Sequence, residues 1–446
     1  MGVLDGKIFN STVFEAYKER TPHLRRNELL KSGALVNDDK AKAAMSAQTG
    51  TNYSTEHIKG SIEKGTQNYD GGTDITSQRS KTLAQGKVVV GRADAWTEED
   101  FTYDITSGED FMQNIAEQVG EYWDDVDQDT LISILKGIFN MTGTENVKFV
   151  TNHTYDITAE ATNNTCDATT LNSATQKAMG DKRKEFAVAI MHSVVVKNLE
   201  NMKVLDYLKY TDKDGIERSL TIGTLNGRLV LEDDGMPIMK YATTKGAYKI
   251  AVGTAGATGE KLGIKFMGKE FEYTVAAADD TATKQATAIA AILNADADIT
   301  ATSTTTNVTI SATNALTDVA TATPELTIAS GATLVATASE TTATVTVDAY
   351  VSYALGKGAI KYADCGVKVP SEVYRDPSTN GGEDTLYSRQ RKMFAPKGIS
   401  FTNSAIVSPT DAQLENGANW SLAASTDGTV VFPHKAIPIA RVISRG

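Results

Sequence analysis

From Ser107 to Phe139 the sequence holds one helical period without a break. Apolar residues recur at helix spacing: Phe111, Met112, Ile115, Ala116, Val119, Tyr122, Trp123, Val126, Leu131, Ile134, Leu135 and Ile138. The opposite face carries Gln113, Glu117, Gln118, Glu121, Asp124, Asp125, Asp127, Gln128 and Asp129, a run that reads as solvated. Ser107 and Asp110 supply a capping hydroxyl and a first-turn carboxylate. At 1.5 Å per residue the helix would span roughly 45–50 Å. That length does not fit inside a compact domain of ordinary radius, so we expect the strut of a flat, elongated subunit. Gly120 and Gly137 are expected as weak points or bends. No heptad partner stretch follows, which disfavours a coiled coil.

The rest of the chain must organise around this strut. Its 446 residues suffice for two or three domains with cores of their own. A net charge of −12 excludes the strongly basic footprint of a nucleic-acid-binding domain. The two cysteines, Cys166 and Cys365, are far apart and lack metal-site spacing, which fits a reducing compartment. No apolar run reaches the length of a membrane span, and the N-terminus has no signal-peptide core.

In chain order, residues 8–30 read as a short helix and an extended arm bearing Arg25 and Arg26, with anchors at Leu29, Leu30, Leu35 and Val36. Residues 46–82 are rich in Gly, Thr, Ser and Asn. The turn signal Asn68–Asp74 lies between strand-like pieces at Ile58–Ile62 and Lys87–Val90. Such a loop without its own core is expected to be disordered, or a long hairpin that finds its core on a neighbouring molecule. After the helix, Asn146–Thr154 reads as a strand. Leu171–Asn201 reads as helix, split near Gly180, with His192 as a satisfied core histidine. Short strands then follow at Tyr207–Tyr210, Ser219–Thr221 and Arg228–Leu231.

From about Tyr241 to Val345 alanine and threonine dominate. A hairpin at Leu262–Val275, an amphipathic helix at Thr281–Asn294 and four alternating strands read as a complete small α+β unit. Past it, Tyr350–Tyr362 resumes the earlier composition. Leu386–Phe394 carries Arg389, Arg391 and Lys392, suited to phosphate or, as we favour, to ion pairs between subunits. Ile437–Ser444 is a final strand.

No nucleotide loop, dinucleotide glycine pattern, HExxH or GxSxG is present, and the five histidines are scattered. The aspartates at 124, 125, 127 and 129 lack the glycine and distal glutamate of a calcium loop. No catalytic residue, metal or cofactor is expected.

The order of these parts resembles the major capsid protein family of tailed bacteriophages. So does the wording of FNSTVFEAYKERTP, LLKSGAL, NYDGGTDIT, GRADAWTEEDF, QNIAEQVGEYW, LISILKGIF, KRKEFAVAIMHSVVVKNL, EDDGMPI, GKGAI and FAPKGISF. The resemblance implies an α+β chain: an N-terminal arm (1–45), an extended loop (46–92), and a spine helix with a peripheral domain (93–170). An axial domain follows in two parts (171–241 and 347–385), with peripheral return strands at 386–446. The Ala/Thr-rich stretch, 242–346, departs from the basic pattern and resembles small β-rich domains inserted in phage structural proteins, expected here as a surface knob.

The implied function is a non-enzymatic shell subunit, assembled in the bacterial host cytoplasm as pentamers and hexamers around double-stranded DNA that it touches only non-specifically. Scaffolding protein, portal and a decoration protein are the implied partners, with no membrane. Candidate interface residues are Arg25, Arg26, Tyr69, Asp70, Asp74, Arg92, Trp96, Arg389 and Arg391. Three alternatives stay open: an encapsulin-like nanocompartment shell, an adhesin with an Ig-like module, and an enzyme with a scattered site.

Overall fold

A computed structural model describes residues 32–46, 51–60, 66, 68–72, 74, 82–99, 111–160, 162–211, 217–313, 323–379, 381–425 and 428–446. Arg25, Arg26, Ser107 and Asp110 lie outside these residues. The chain is α+β, as expected. It divides into two units, one of residues 1–155, 167–236 and 352–442, the other of 156–166, 237–351 and 443–446.

In the first unit the long helix runs from Phe111 to Phe139. Its middle is amphipathic: Val119 and Trp123 are buried, and Asp125 and Asp129 are exposed. In its last turns the expected apolar stripe is buried, and Ile132 beside it. Leu131, Ile132, Ile134, Leu135 and Ile138 are all buried, so the core closes around the helix. Gly137 marks a close approach rather than a weak point: a Cβ there would fall on the Leu414 carbonyl and the Trp420 indole. The Trp420 indole N–H itself donates to the Leu414 carbonyl at 2.7 Å.

The helix packs on a five-stranded sheet built around the long strand Glu383–Pro396. Val90–Glu99 pairs with it from Lys392↔Val90 to Glu383↔Glu99. Ser371–Asp376 and Ile360–Asp364 pair antiparallel with its first and last parts, and Leu35–Asn37 runs parallel to Ile360–Asp364. Alternation sends Leu386, Ser388, Gln390 and Lys392 to the buried face. Leu386 joins Val119 and Trp123 in one cluster, and the Trp123 indole donates to Ser388 Oγ at 2.9 Å.

Two elements correct the sequence reading. Residues 146–153 belong to a helix, Thr144–His153; only Thr154–Asp156 is extended. Its buried residues, Phe149 and His153, are four apart, a helical spacing masked by the β-formers Val147, Phe149 and Val150. Conversely, Phe186–Met191 is a strand between the helices Thr170–Met179 and Ser193–Asn201. It pairs in parallel with Arg228–Glu232 and antiparallel with residues 353–356. A fully buried strand has no alternation to separate it from helix. His192 is buried as expected, but as the N-cap of Ser193–Asn201, its Nδ1 accepting from Val194 N–H at 3.2 Å.

The second unit contains a closed core of its own. Sheets of four strands (Ile299–Thr304, Asn307–Ala312, Ala247–Thr254, Val335–Thr342) and three strands (Lys269–Thr274, Lys261–Phe266, Glu325–Ile328) are joined by the helix Ala282–Asn294. Tyr248, Ile250, Ile264, Tyr273, Ile289, Leu293 and Ile310 meet there, each at most 2% exposed. The hairpin and the helix Ala282–Asn294 match expectation; the expected strand Thr344–Val347 belongs instead to Val345–Gly356, which pairs with Ile238–Thr244, and Ala247–Thr254 and Ile299–Thr304 are strands the sequence reading lacks.

Candidate functional site

The base of the hairpin gathers several buried polar and charged side chains of the first unit. Tyr53–Lys59 pairs with Thr82–Val88 from Tyr53↔Val88 to Lys59↔Thr82. The turn of the hairpin lies mostly outside the described residues. Contrary to expectation, the described base finds its core in its own chain. Leu83 is buried, Gln85 donates from Nε2 to the Pro396 and Ile399 carbonyls at 2.6 and 2.9 Å, and the Tyr53 hydroxyl donates to the Phe401 carbonyl at 2.9 Å.

A four-charge cluster fixes this base. Lys87, its side chain 2% exposed, reaches Asp38 at 2.6 Å and Glu56 at 2.5 Å. Lys361 reaches Glu56 at 2.8 Å and Asp38 at 3.5 Å. Asp38 also caps the helix Asp39–Met45 by accepting from Ala41 N–H at 3.1 Å. Burial alone would raise the Asp38 carboxyl, but the Lys87 hydrogen bond, the Ala41 N–H and the two ammonium charges hold it down to about 2. Glu56 is likewise lowered against its burial, by Lys361 and Lys87. Lys87 and Asp38 are buried, whereas Lys361 and Glu56 are partly exposed; for the buried pair desolvation offsets most of the attraction, so the cluster favours one arrangement more than it adds stability. The effect is to fix where the hairpin leaves the body of the chain.

A second buried pair joins the long helix to the sheet. Asp127 bonds Lys392, and Gln390 Nε2 donates to Asp127 Oδ1 at 3.0 Å. Asp127 is therefore a buried helix-to-sheet tie, not part of a solvated face. Neither it nor Asp38, Glu56, Lys87 and Lys361 stood out in the sequence. The available signal was a lysine set inside the buried run Leu83–Val90.

The expected interface residues fall into two groups. At the loop tip, Tyr69 is 86% exposed, and Asp70 Oδ1 accepts from Gly72 N–H at 2.9 Å. Asp74 is exposed as well. Arg92, Trp96, Arg389 and Arg391 have partners within the chain. Arg92 pairs with Asp411 at 2.6 Å and donates to the Pro409 carbonyl. Trp96 lies edge-on to Tyr122 at 5.3 Å. Arg389 pairs with Glu372 at 3.2 Å, and Arg391 donates to Asn52 Oδ1 at 2.5 Å. Arg25 and Arg26 lie outside the described residues, and the structure does not gather the other seven into one patch.

A shallow cleft is lined by Asp125, Asp129, Glu232, Asp233 and Asp234. Burial, with Asp233 and Asp125 nearby, raises the Asp129 carboxyl. Asp233 is engaged by the Gln128 amide and by Gly235 N–H. Among the described residues no group of three or more His, Cys, Asp or Glu is arranged to hold a metal ion.

No known family profile matches the chain. Over 73 residues, 16% of its length, it is 40% identical to the major capsid protein of Bacillus phage SPP1, of which the match covers 22%. Among solved structures it is similar to a chain of the acid-stable capsid of Helicobacter pylori bacteriophage KHP30, at 10% identity and a TM-score of 0.42, covering 92% of this chain and 86% of that one. It is also similar to a chain of the mature capsid of bacteriophage PhiM1, at 12% identity and a TM-score of 0.37, covering 89% and 86%. Neither structural likeness is close enough to set a function.

Proposed function

We propose that this chain is the major capsid protein of a tailed bacteriophage, self-assembling into the icosahedral or prolate shell that encloses the genome. The observation that carries the reading is the 40% identical match to the SPP1 major capsid protein. The hairpin with a fixed base, the long helix and the long sheet strand support it by the order in which they follow one another.

In this reading the hairpin tip, with Tyr69, Asp70 and Asp74, rests on a neighbouring copy, and Arg25 and Arg26 of the arm contact another. Arg92, Trp96, Arg389 and Arg391 hold the sheet on which a neighbour would rest. Identical contacts repeated around symmetry axes close into pentamers and hexamers, and many modest contacts add up over a shell. The Ala/Thr-rich stretch, 242–346, is the surface knob, a place for a decoration protein. Scaffolding protein and portal are the assembly partners, the DNA is held without sequence preference, and assembly occurs in the host cytoplasm.

Electron microscopy of the purified chain, alone and co-expressed with a scaffolding protein, tests this. Closed shells are expected. Removing residues 60–80 should leave soluble subunits or capsomers that make none. Shells from the shortened chain would overturn the intermolecular role of the loop. Dispersed single chains under every condition would overturn the capsid reading itself.

A further inference from the structure

One parallel pair of strands in the first unit separates charge. Phe186–Met191 and Arg228–Glu232 run side by side, with Val188 opposite Leu229 and Met191 opposite Glu232. Both therefore start at one end of the sheet and stop at the other, roughly 13 Å away at about 3.3 Å per residue. The starting end is basic. Lys182, Arg183 and Lys184 stand exposed in the turn that leads into Phe186–Met191. Lys357 is exposed beside them, and its N–H donates to the Glu185 carbonyl at 2.9 Å. Arg228 opens the second strand and is 6% exposed. Its guanidinium is held by neutral groups: Nη1 donates to Asn172 Oδ1 at 2.9 Å and Nη2 to Thr175 Oγ1 at 3.2 Å, while Nε is buried without an acceptor. Burial, then the nearby Arg183 charge, lower the Arg228 guanidinium below its ordinary value. Asp181 and Glu185 are the acids of the same turn, and among the described residues neither is ion-paired with these five cations.

The stopping end is acidic. Glu232 closes its strand exposed to solvent, and Asp233 N–H donates to the Met191 carbonyl at 2.9 Å. Asp129 of the long helix lines the same cleft as Glu232. Burial and its acidic neighbours raise the Asp129 carboxyl, and Lys136, a cation near it, is already paired with Glu415 at 3.0 Å. Each end thus keeps a surplus of one sign.

We propose that the two ends form a head-to-tail contact between copies, the basic end of one chain docking on the acidic end of the next. The contact rests on the capsid reading above. Every copy carries one end of each sign, so the contact is heterologous, and a heterologous contact that closes makes a ring. Lys182, Arg183 and Lys184 are long, exposed side chains that can reach Asp129 and Glu232 of the next copy. Arg228 stays behind them as a fixed charge. Complementary ends of this kind set register and exclude the reversed docking, in which like charges would meet. Nucleic acid would answer the basic end alone, and it would have to approach a chain of net charge −12. A second copy answers both ends at once.

Charge reversal in the full chain, co-expressed with a scaffolding protein and read by sedimentation and electron microscopy, tests the contact. Lys182→Glu, Arg183→Glu and Lys184→Glu together, or Asp129→Lys and Glu232→Lys together, set like charges against each other and should cut the yield of shells about tenfold or more. The chain with all five changes restores opposite signs and should recover most of that yield. Native yield from either partial set, or no recovery in a folded chain carrying all five, overturns the proposal. A basic set that builds native numbers of shells holding less DNA assigns that end to nucleic acid and overturns it too. Should the five changes prevent folding, Arg183→Cys and Glu232→Cys chains are mixed, assembled and oxidised. A disulfide joining one copy of each supports the contact, and its absence overturns it. A native chain that builds no shells refutes the capsid reading itself, and the contact falls with it.

Discussion

Lys392 and Gly137 carry the sharpest consequences at the scale of single residues. Lys392→Met would leave the buried Asp127 without the ammonium group that pairs with it, while the Gln390 amide stays bonded to its Oδ1. Breaking a buried pair from one side costs about 3 kcal/mol or more, so the unfolding free energy of unassembled chains in urea should drop by that amount. Adding Asp127→Asn to Lys392→Met should recover a good part of the loss. Gly137→Ala reverses an ordinary rule. In an exposed helix this change stabilises by about 1 kcal/mol. Here the new methyl would meet the Leu414 carbonyl and the Trp420 indole, and a loss of about 1–3 kcal/mol is expected, read as a lowered urea midpoint. Sequence period shows neither effect. It marks which residues share a helix face, and Asp127 sits on the polar one. Which partner arrives from 265 residues away, as Lys392 does, is a tertiary fact.

Among the elements, legibility followed patterning. The middle of the long helix and the helix Ala282–Asn294 each bury one face only, so their periods survive in the sequence. Phe186–Met191 is apolar throughout because side chains on both of its faces are buried, so it has no alternation to set it apart from helix. The four-charge cluster was invisible for a related reason: Asp38, Glu56, Lys87 and Lys361 come from four separate segments. One edge strand carries a testable guard. Ile299–Thr304 lies at a sheet edge and is uncharged and rich in β-formers, a composition that invites pairing with another chain. Asn294 occupies part of that edge: its Nδ2 donates to the Ala301 carbonyl at 2.7 Å and its Oδ1 accepts from Ala301 N–H at 2.8 Å. Asn294→Ala should uncover both backbone groups. Concentration-dependent association by light scattering is the expected readout, together with a loss of about 1–3 kcal/mol from the unsatisfied groups.

On the scale of the whole molecule, the second unit is built so that most of it can be cut out. Ile238–Thr244 and the start of Val345–Gly356 pair antiparallel, and Thr244 stands opposite Val345. The chain therefore leaves for residues 245–344 and returns at adjacent positions of one ladder. The hydrophobic cluster of that excursion, from Tyr248 to Leu334, draws on no residue outside it. Its outer sheet faces are polar: Thr300, Thr302, Thr337 and Ser339 on one sheet, and Lys261, Lys265, Glu270 and Glu272 on the other, are all exposed or partly so. Replacing 245–344 by Asn-Gly should turn the two strands into an ordinary hairpin, since that dipeptide suits a two-residue antiparallel turn. The shortened chain should fold and still build particles under the electron microscope, with a smoother outer surface. Residues 245–344 expressed alone should unfold cooperatively in urea. An insoluble shortened chain beside a well-folded isolated segment would mean that the excursion supports the rest of the chain, and the view of it as an added module would fall.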